Sequence, residues 1–228
     1  RNWDYRGSWI RDASFTVYSL TRLGYRAEGI AFARWVRDRA AACRQGALDV
    51  MYTVSGDAVP EERSLDGFAG YAGSRPVRIG NAAAKQLQLD IYGALLDAIY
   101  LNNKYGEAIS HADWEGVCRV VRYVSKNWRK PDAGIWELRG QKKEHLHSRL
   151  MCWVAVDRAI RLSVKRSLAS PLSDWLKVRS AISADIWDGF WNEKAGHFGR
   201  SQGSTARDGA MLLMPLVRFV GATDPQWL

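Results

Sequence analysis

The apolar residues of this chain recur at helical spacing, and the helical segments alternate between two kinds. Apolar residues cover most of the circumference in segments 9–23, 82–101, 149–164 and 206–220. They cover a single face in segments 27–42, 113–128 and 172–188. A helix that is apolar all round must be covered on several sides. The alternation therefore predicts two concentric layers, in which inner and outer helices take turns along the chain.

The predicted fold class is all-α, namely part of an α/α toroid with about seven helices, the last interrupted by Pro215. Because seven helices make only part of a ring, and because the dense stretch Trp3–Trp9 lies at the very start, we expect a piece of a longer protein. The long links 43–81, 129–148 and 189–205 all follow outer helices. If the inner helices are parallel, these links meet at one end of the ring, beside the helix N-termini, and we expect the functional site there.

Composition narrows the classes of function. The net charge is +9, but basic residues are scattered among acidic ones, so a basic surface is favoured over a nucleic-acid interface. No apolar run is long enough to span a bilayer, and no leader is visible, so we expect a cytoplasmic protein without a membrane partner. The 3 cysteines show no metal-ligand spacing and fit a reducing compartment.

The predicted rim is rich in Trp, Arg, Asp and Glu, and it lacks both a phosphate-binding glycine loop and a nucleophile elbow. Aromatic faces beside charged groups suit a sugar, and glycoside hydrolysis needs two carboxyl groups. Glu137 is the best single candidate, because an apolar neighbour such as Trp136 favours the protonated form that a general acid needs. The alternative is a structural Glu137 paired with Arg139. Trp136 itself is expected to contact the substrate.

Other polar residues permit a structural as well as a functional interpretation. Asp12 follows Arg11 at the start of the first inner helix, where the positive end of the helix dipole stabilises an acidic side chain. This position accounts for Asp12 whether or not it also binds a ligand. His145 and His147 share a face of an extended strand, but no third metal ligand is evident, so no metal is predicted. Asp90 and Asp208 are expected to be buried hydrogen-bonding groups rather than catalysts.

Four motifs carry a resemblance to a known family: RNWDYR followed by WIRDASF, GYAGSRPVRIGNAAAKQLQLD, PDAGIWELRG, and HSRLMCWVAVDRA. Over nearly all of residues 1–221 the chain resembles the bacterial members of glycoside hydrolase family 15, which includes glucoamylases, glucan glucosidases and some trehalases. The resemblance implies an (α/α)6 barrel and hydrolysis with inversion, without a cofactor. It implies that Glu137 is the general acid and that Trp9, Arg11 and Asp12 bind the terminal glucose. Arg75 and Arg78 would line the funnel.

The resemblance also carries expectations about what surrounds residues 1–228. Gly7-Ser8 departs from the family pattern, so the entrance to the site is expected to differ. The family's base glutamate would lie beyond Leu228, and a β-sandwich would precede Arg1. Residues 1–228 would then be a partial catalytic domain, inactive alone and with an exposed apolar flank. The expected activity of the parent is exo-acting release of glucose from α-glucans or oligosaccharides. A trehalase and a non-catalytic sugar-binding toroid are the alternatives, and the oligomeric state stays open.

Overall fold

The structure is a computed structural model that describes residues 2–43 and 45–227. Its α-helices are α1 (Ile10–Leu23), α2 (Arg26–Ala42), α3 (Asp90–Tyr105), α4 (His111–Asn127), α5 (Leu146–Arg166), α6 (Leu172–Phe190) and the single turn α7 (Leu213–Leu216). None of the helices in the described part of the chain is long and apolar enough to cross a membrane.

The helices form two layers, as the alternation predicts. Helix α3 packs between α1 and α5, and α2, α4 and α6 cover these three from outside. Most residues of α3 and α5 are buried, whereas the outer helices bury one face each. At Gly93 a Cβ atom would lie 2.2 Å from the carbonyl oxygen of Met151, so only glycine permits this approach of α3 to α5.

Three short antiparallel pairs stiffen the links between helices. They are β1 (Ser8–Trp9) with β2 (Met51–Tyr52), β3 (Arg63–Ser64) with β4 (Arg78–Ile79), and β5 (Trp191–Asn192) with β6 (His197–Phe198). The first pair sets Trp9 opposite Met51, directly before α1. These pairs hold the rim to the N-terminal ends of the inner helices.

Two predicted helices are wrong in extent. The segment 82–101 becomes a 3₁₀ turn (Ala82–Lys85), an irregular stretch that begins with Gln86 in an extended conformation, and then α3. The segment 206–220 yields only a 3₁₀ turn (Gly209–Leu212) and the one-turn α7, which contains Pro215. Proline supplies no N–H to continue a helix.

The predicted apolar flank is present. On α1 the Phe15 side chain is 44% exposed and Tyr18 is 41% exposed, so this helix is not buried all round as its sequence suggested. Leu216 in α7 is 73% exposed. These side chains line an apolar groove whose base is formed by Ala94 and Ala98 of α3.

Candidate active site

The loop that carries Glu137 turns sharply between α4 and α5. Gly134 has a φ of +68°, and a Cβ there would lie 2.8 Å from Cδ2 of His145. Glu137 itself adopts the left-handed region with a φ of +52°. Its N–H donates to the Gly134 carbonyl at 3.1 Å, and the Leu138 N–H donates to that of Ala133. The turn directs the Glu137 side chain back toward the inner helices, in a conformation that non-glycine residues rarely adopt.

Three donors converge on one oxygen of Glu137. The Trp9 indole N–H donates to Oε1 at 2.7 Å, the Gln88 amide at 3.3 Å and the Arg11 guanidinium at 3.4 Å. The Glu137 side chain stays 22% exposed, so it remains accessible from the rim. The structure therefore brings Glu137 to Trp9 and Arg11, which lie 128 and 126 residues away in sequence.

Arg11 is held by a fully buried carboxylate. Its Nη1 donates to Oδ2 of Asp90 at 2.9 Å and to Oε1 of Gln88 at 2.9 Å. Burial disfavours the charged guanidinium, but the negative charge of Asp90 outweighs it and raises the pKa of Arg11. Asp12, next along α1, keeps 69% of its side chain exposed. The expectation of a buried hydrogen-bonding role for Asp90 is confirmed.

The extended stretch before α3 adds two residues that the sequence did not single out. Gln86 donates its amide to the carbonyls of Glu137 and Leu138 at 3.3 and 3.4 Å. Gln88 is 1% exposed and also donates to Oε1 of Gln86 at 3.0 Å. Both glutamine side chains thus reach the loop that carries Glu137. The signal in the sequence was a polar residue on either side of Leu87.

Trp136 does not lie against Glu137. It is 64% exposed, and its indole N–H donates to Oδ2 of Asp208 at 2.6 Å. Asp208 is therefore a hydrogen-bonding group, but it is half-buried and not buried as expected. The expected apolar shielding of Glu137 by Trp136 is therefore wrong, since the left-handed turn directs the two side chains to different neighbours. The alternative pairing of Glu137 with Arg139 is also wrong, because Arg139 donates to Oε2 of Glu62 at 2.6 Å.

The two funnel arginines lie in separate places. Arg78 stacks on one side of the Trp3 ring at 4.2 Å, Arg139 approaches the same ring at 4.1 Å, and both pair with Glu62. Hydrogen bonding from Arg139 lowers the pKa of Glu62, as expected for a paired carboxylate. Arg75 is exposed and donates to the Asp66 carbonyl at 3.0 Å. Neither Arg75 nor Arg78 contacts Glu137 within the described residues.

Asp132 anchors the loop that carries Glu137 to two inner helices. Its carboxylate accepts from the Leu89 N–H at 2.7 Å, the Ser148 hydroxyl at 2.7 Å and the Gly134 N–H at 3.2 Å. Burial raises the pKa of Asp132 to about 6, against the effect of these donors. The loop, the start of α3 and the start of α5 are thus joined at one residue.

His145 and His147 lie at the start of α5, not on the expected strand: His145 caps the helix and His147 is in its first turn. Burial lowers the pKa of both imidazoles. Nδ1 of His147 lies 3.7 Å from Oδ2 of Asp90. In residues 2–43 and 45–227, no group of three or more His, Cys, Asp or Glu side chains is arranged to hold a metal.

Trp9, Arg11 and Glu137 meet at the N-terminal ends of the inner helices. This arrangement, on two layers of helices, is typical of the α/α-toroid class of sugar-hydrolysing domains. The family model for glycosyl hydrolases family 15 matches residues 1–227, and the chain belongs to this family. The expectation drawn from the motifs is therefore confirmed.

Two curated relatives and one solved structure illustrate the family likeness. The chain is 40% identical to the trehalase of Mycolicibacterium smegmatis, over 99% of this chain and 34% of that protein. It is 37% identical to trehalase 1 of Sulfolobus acidocaldarius, over 100% of this chain and 39% of that protein. The chain thus spans just over a third of each. The glucoamylase of Saccharomycopsis fibuligera has a similar fold, with a TM-score of 0.65 at 14% identity, over 97% of this chain and 50% of that one.

Proposed function

We propose that residues 1–228 are part of the catalytic domain of a trehalase that works with inversion. The observation that carries the proposal is 40% identity to a trehalase across 99% of the chain, together with Glu137 held at the N-terminal ends of the inner helices. This substrate replaces the α-glucan expected first from sequence, because curated relatives of similar identity, from distant organisms, are trehalases.

Glu137 is the proposed general acid. It gives its proton to the oxygen between the two glucose rings, and the C1–O bond breaks with the electron pair on that oxygen. A water attacks C1 from the opposite face and loses a proton to a second carboxylate. In inverting enzymes the two carboxyl groups lie about 6.5–9.5 Å apart, which leaves room for the water. We propose that the second carboxylate lies outside residues 1–228.

Arg11 and Asp12 are proposed to hold the hydroxyl groups of the ring that is cleaved. Asp12 suits this role because its carboxylate is exposed at the first turn of α1, beside the buried Arg11. The Trp9 ring lies against Tyr5, with centroids 5.5 Å apart, and the exposed Tyr5 offers an aromatic face to a sugar. Binding at this ring positions the scissile bond, so the proposed enzyme acts on terminal glucose units.

The second candidate is a glucosidase that cleaves maltooligosaccharides, which the same acid would serve. Inversion separates the two by their products. Trehalose, with two α linkages at one oxygen, gives one β-glucose and one α-glucose, whereas a maltooligosaccharide gives β-glucose from its terminal unit. Proton NMR of the first turnovers distinguishes these anomers before they interconvert.

The test uses the intact parent protein and its Glu137→Gln variant on trehalose and on maltotriose. We expect hydrolysis of trehalose, reduced by about 10²–10⁴-fold in the variant, with sugar binding retained in calorimetry. Preferred cleavage of maltotriose would support the second candidate. Binding without turnover in the unmodified protein would indicate a non-catalytic toroid, and unchanged turnover in the variant would reject Glu137 as the acid.

A further inference from the structure

The two oxygens of the Glu137 carboxyl group have different surroundings. Oε1 accepts from Trp9, Gln88 and Arg11, whereas no hydrogen bond from the described residues reaches Oε2. A protonated carboxyl group has one carbonyl oxygen that accepts and one hydroxyl that donates. Because three N–H groups already point at Oε1, that oxygen has no free direction for a hydrogen of its own. The proton of the acid form therefore belongs on Oε2.

The same arrangement creates an electrostatic problem. Arg11 lies 3.4 Å from Oε1, and an uncompensated cation at such a distance would favour a carboxylate, which cannot protonate a leaving group. Asp90 supplies the compensation, because its carboxylate is 0% exposed and lies 2.9 Å from Nη1 of the same guanidinium. In a buried site, a matched ion pair acts on a third group far more weakly than an isolated cation does.

The other charged groups near Glu137 do not neutralise the Arg11 guanidinium in place of Asp90. On α1, Asp12 lies 3.8 Å from Nε of Arg11 but is mostly exposed to solvent. On the loop that carries Glu137, Arg139 is paired with Glu62. On α5, burial lowers the pKa of His147, which disfavours a second cation beside Asp90. Asp90, on α3, is the buried carboxylate that meets Arg11.

We propose that Asp90 is a positioning residue for Glu137: it neutralises and orients Arg11 so that, with Trp9 and Gln88, the donors meet on Oε1 and the transferable proton stays on Oε2. This inference rests on the proposed function. In the reaction the Oε2–H bond breaks as the proton moves to the glycosidic oxygen, and the Glu137 carboxylate left behind is then stabilised by the same three donors. A later proton from solvent restores the acid.

The experiment measures kcat and kcat/KM for trehalose against pH in the intact parent protein and its Asp90→Asn variant. Asparagine has nearly the same shape but no charge. We expect kcat to fall by about 10–100-fold at neutral pH, since a small misplacement of the acid is costly. We also expect the alkaline limb of the profile to move down by about one pH unit or more, because Arg11 then acts uncompensated.

The matched control is Asp97→Asn, the same substitution seven residues further along α3. Asp97 also accepts from an arginine, Arg158, at 2.6 Å, but it contacts none of the Glu137 donors. This variant should lose stability and keep the parent's alkaline limb. The conservative variant is Asp90→Glu, which keeps a carboxylate for Nη1 of Arg11 and leaves all three Oε1 donors in place. Its alkaline limb should stay closer to the parent's than that of Asp90→Asn.

A folded Asp90→Asn variant with the parent's alkaline limb, or an equal shift in Asp97→Asn, would overturn the proposal. If circular dichroism shows that Asp90→Asn does not fold, Asp90→Glu decides. It keeps the charge but displaces the carboxylate that orients Arg11 by one methylene, so kcat should fall while the alkaline limb stays near the parent's, and a parent-like kcat would overturn the positioning role. Full activity in Glu137→Gln would instead reject the assigned acid, and this inference would fall with the proposed function.

Discussion

Replacing Trp9 by Phe isolates one of the three hydrogen bonds to Glu137. Trp9 is 8% exposed and packs on Val50, Met51 and Ala83, so a phenyl ring keeps most of this contact. What disappears is the indole N–H, which lies 2.7 Å from Oε1. The variant therefore changes the electrostatics of the proposed acid more than its packing.

The magnitude follows from how this bond changes during the reaction. A hydrogen bond to the neutral acid contributes about 1 kcal/mol, and one to a carboxylate about 1.5–3 kcal/mol. Glu137 becomes a carboxylate as it releases its proton, so the N–H stabilises the transition state by about 0.5–2 kcal/mol more than the ground state. At about 1.4 kcal/mol for each tenfold, kcat should fall by about 2- to 30-fold.

The assay is steady-state hydrolysis of trehalose by the intact parent protein, with kcat and KM determined separately. The matched control is Trp114→Phe, because Trp114 is also buried and donates its N–H at 2.9 Å, but to the Ala169 carbonyl behind α4. The control should lower the melting temperature and leave kcat unchanged. Equal kcat values for folded Trp9→Phe and the parent would refute the reasoning, and so would equal losses in both variants.

Three further predictions concern binding, pH and packing. Asp12→Ala should lower kcat as well as raise KM for trehalose, because binding at the terminal ring positions the scissile bond; a change in KM alone would remove Asp12 from the site. Burial raises the pKa of Asp132 from 3.8 to about 6, so its contribution to stability is fully present below pH 3.8 and is lost as the pH rises through about 6. In urea unfolding, the free energy of unfolding of Asp132→Asn, taken relative to the parent, should therefore rise by on the order of 3 kcal/mol from about pH 4 to pH 7. A difference between the two proteins that stays constant over this range would contradict the raised pKa of Asp132. Gly93→Ala should lower the free energy of unfolding by about 1–3 kcal/mol, since its Cβ would meet the Met151 backbone at 2.2 Å. The control is Gly140→Ala, where a Cβ would have no atom within 4 Å. Equal melting temperatures of the two variants would contradict the close approach at Gly93.

The layered fold was predictable because it depends on which faces of each helix are apolar. The buried faces of α3 and α5 and the one-sided α2, α4 and α6 follow from residue spacing alone. The start of α3 was missed, because Leu87 and Leu89 fit a helical stripe as well as a strand. Only the hydrogen bond from the Leu89 N–H to Asp132 shows where the extended stretch ends.

The candidate site residues Trp9, Arg11, Asp12 and Glu137 were named from sequence motifs, and their roles stay a prediction. Their partners were not named in this way. Neighbours in sequence suggested Trp136 and Arg139 as the environment of Glu137, but a left-handed backbone at Glu137 turns its side chain away from both.

The network of Arg11, the adjacent Gln88 and Asp90, and Glu137 depends on three separate segments arriving at one point. Spacing within a segment determines which face a residue occupies, but it carries no information on what faces it across the fold. The sequence by itself determined the two helical layers and the rim that carries the candidate residues. The tertiary structure decided which donors reach Oε1 of Glu137, because contacts between distant segments form only when the helices pack.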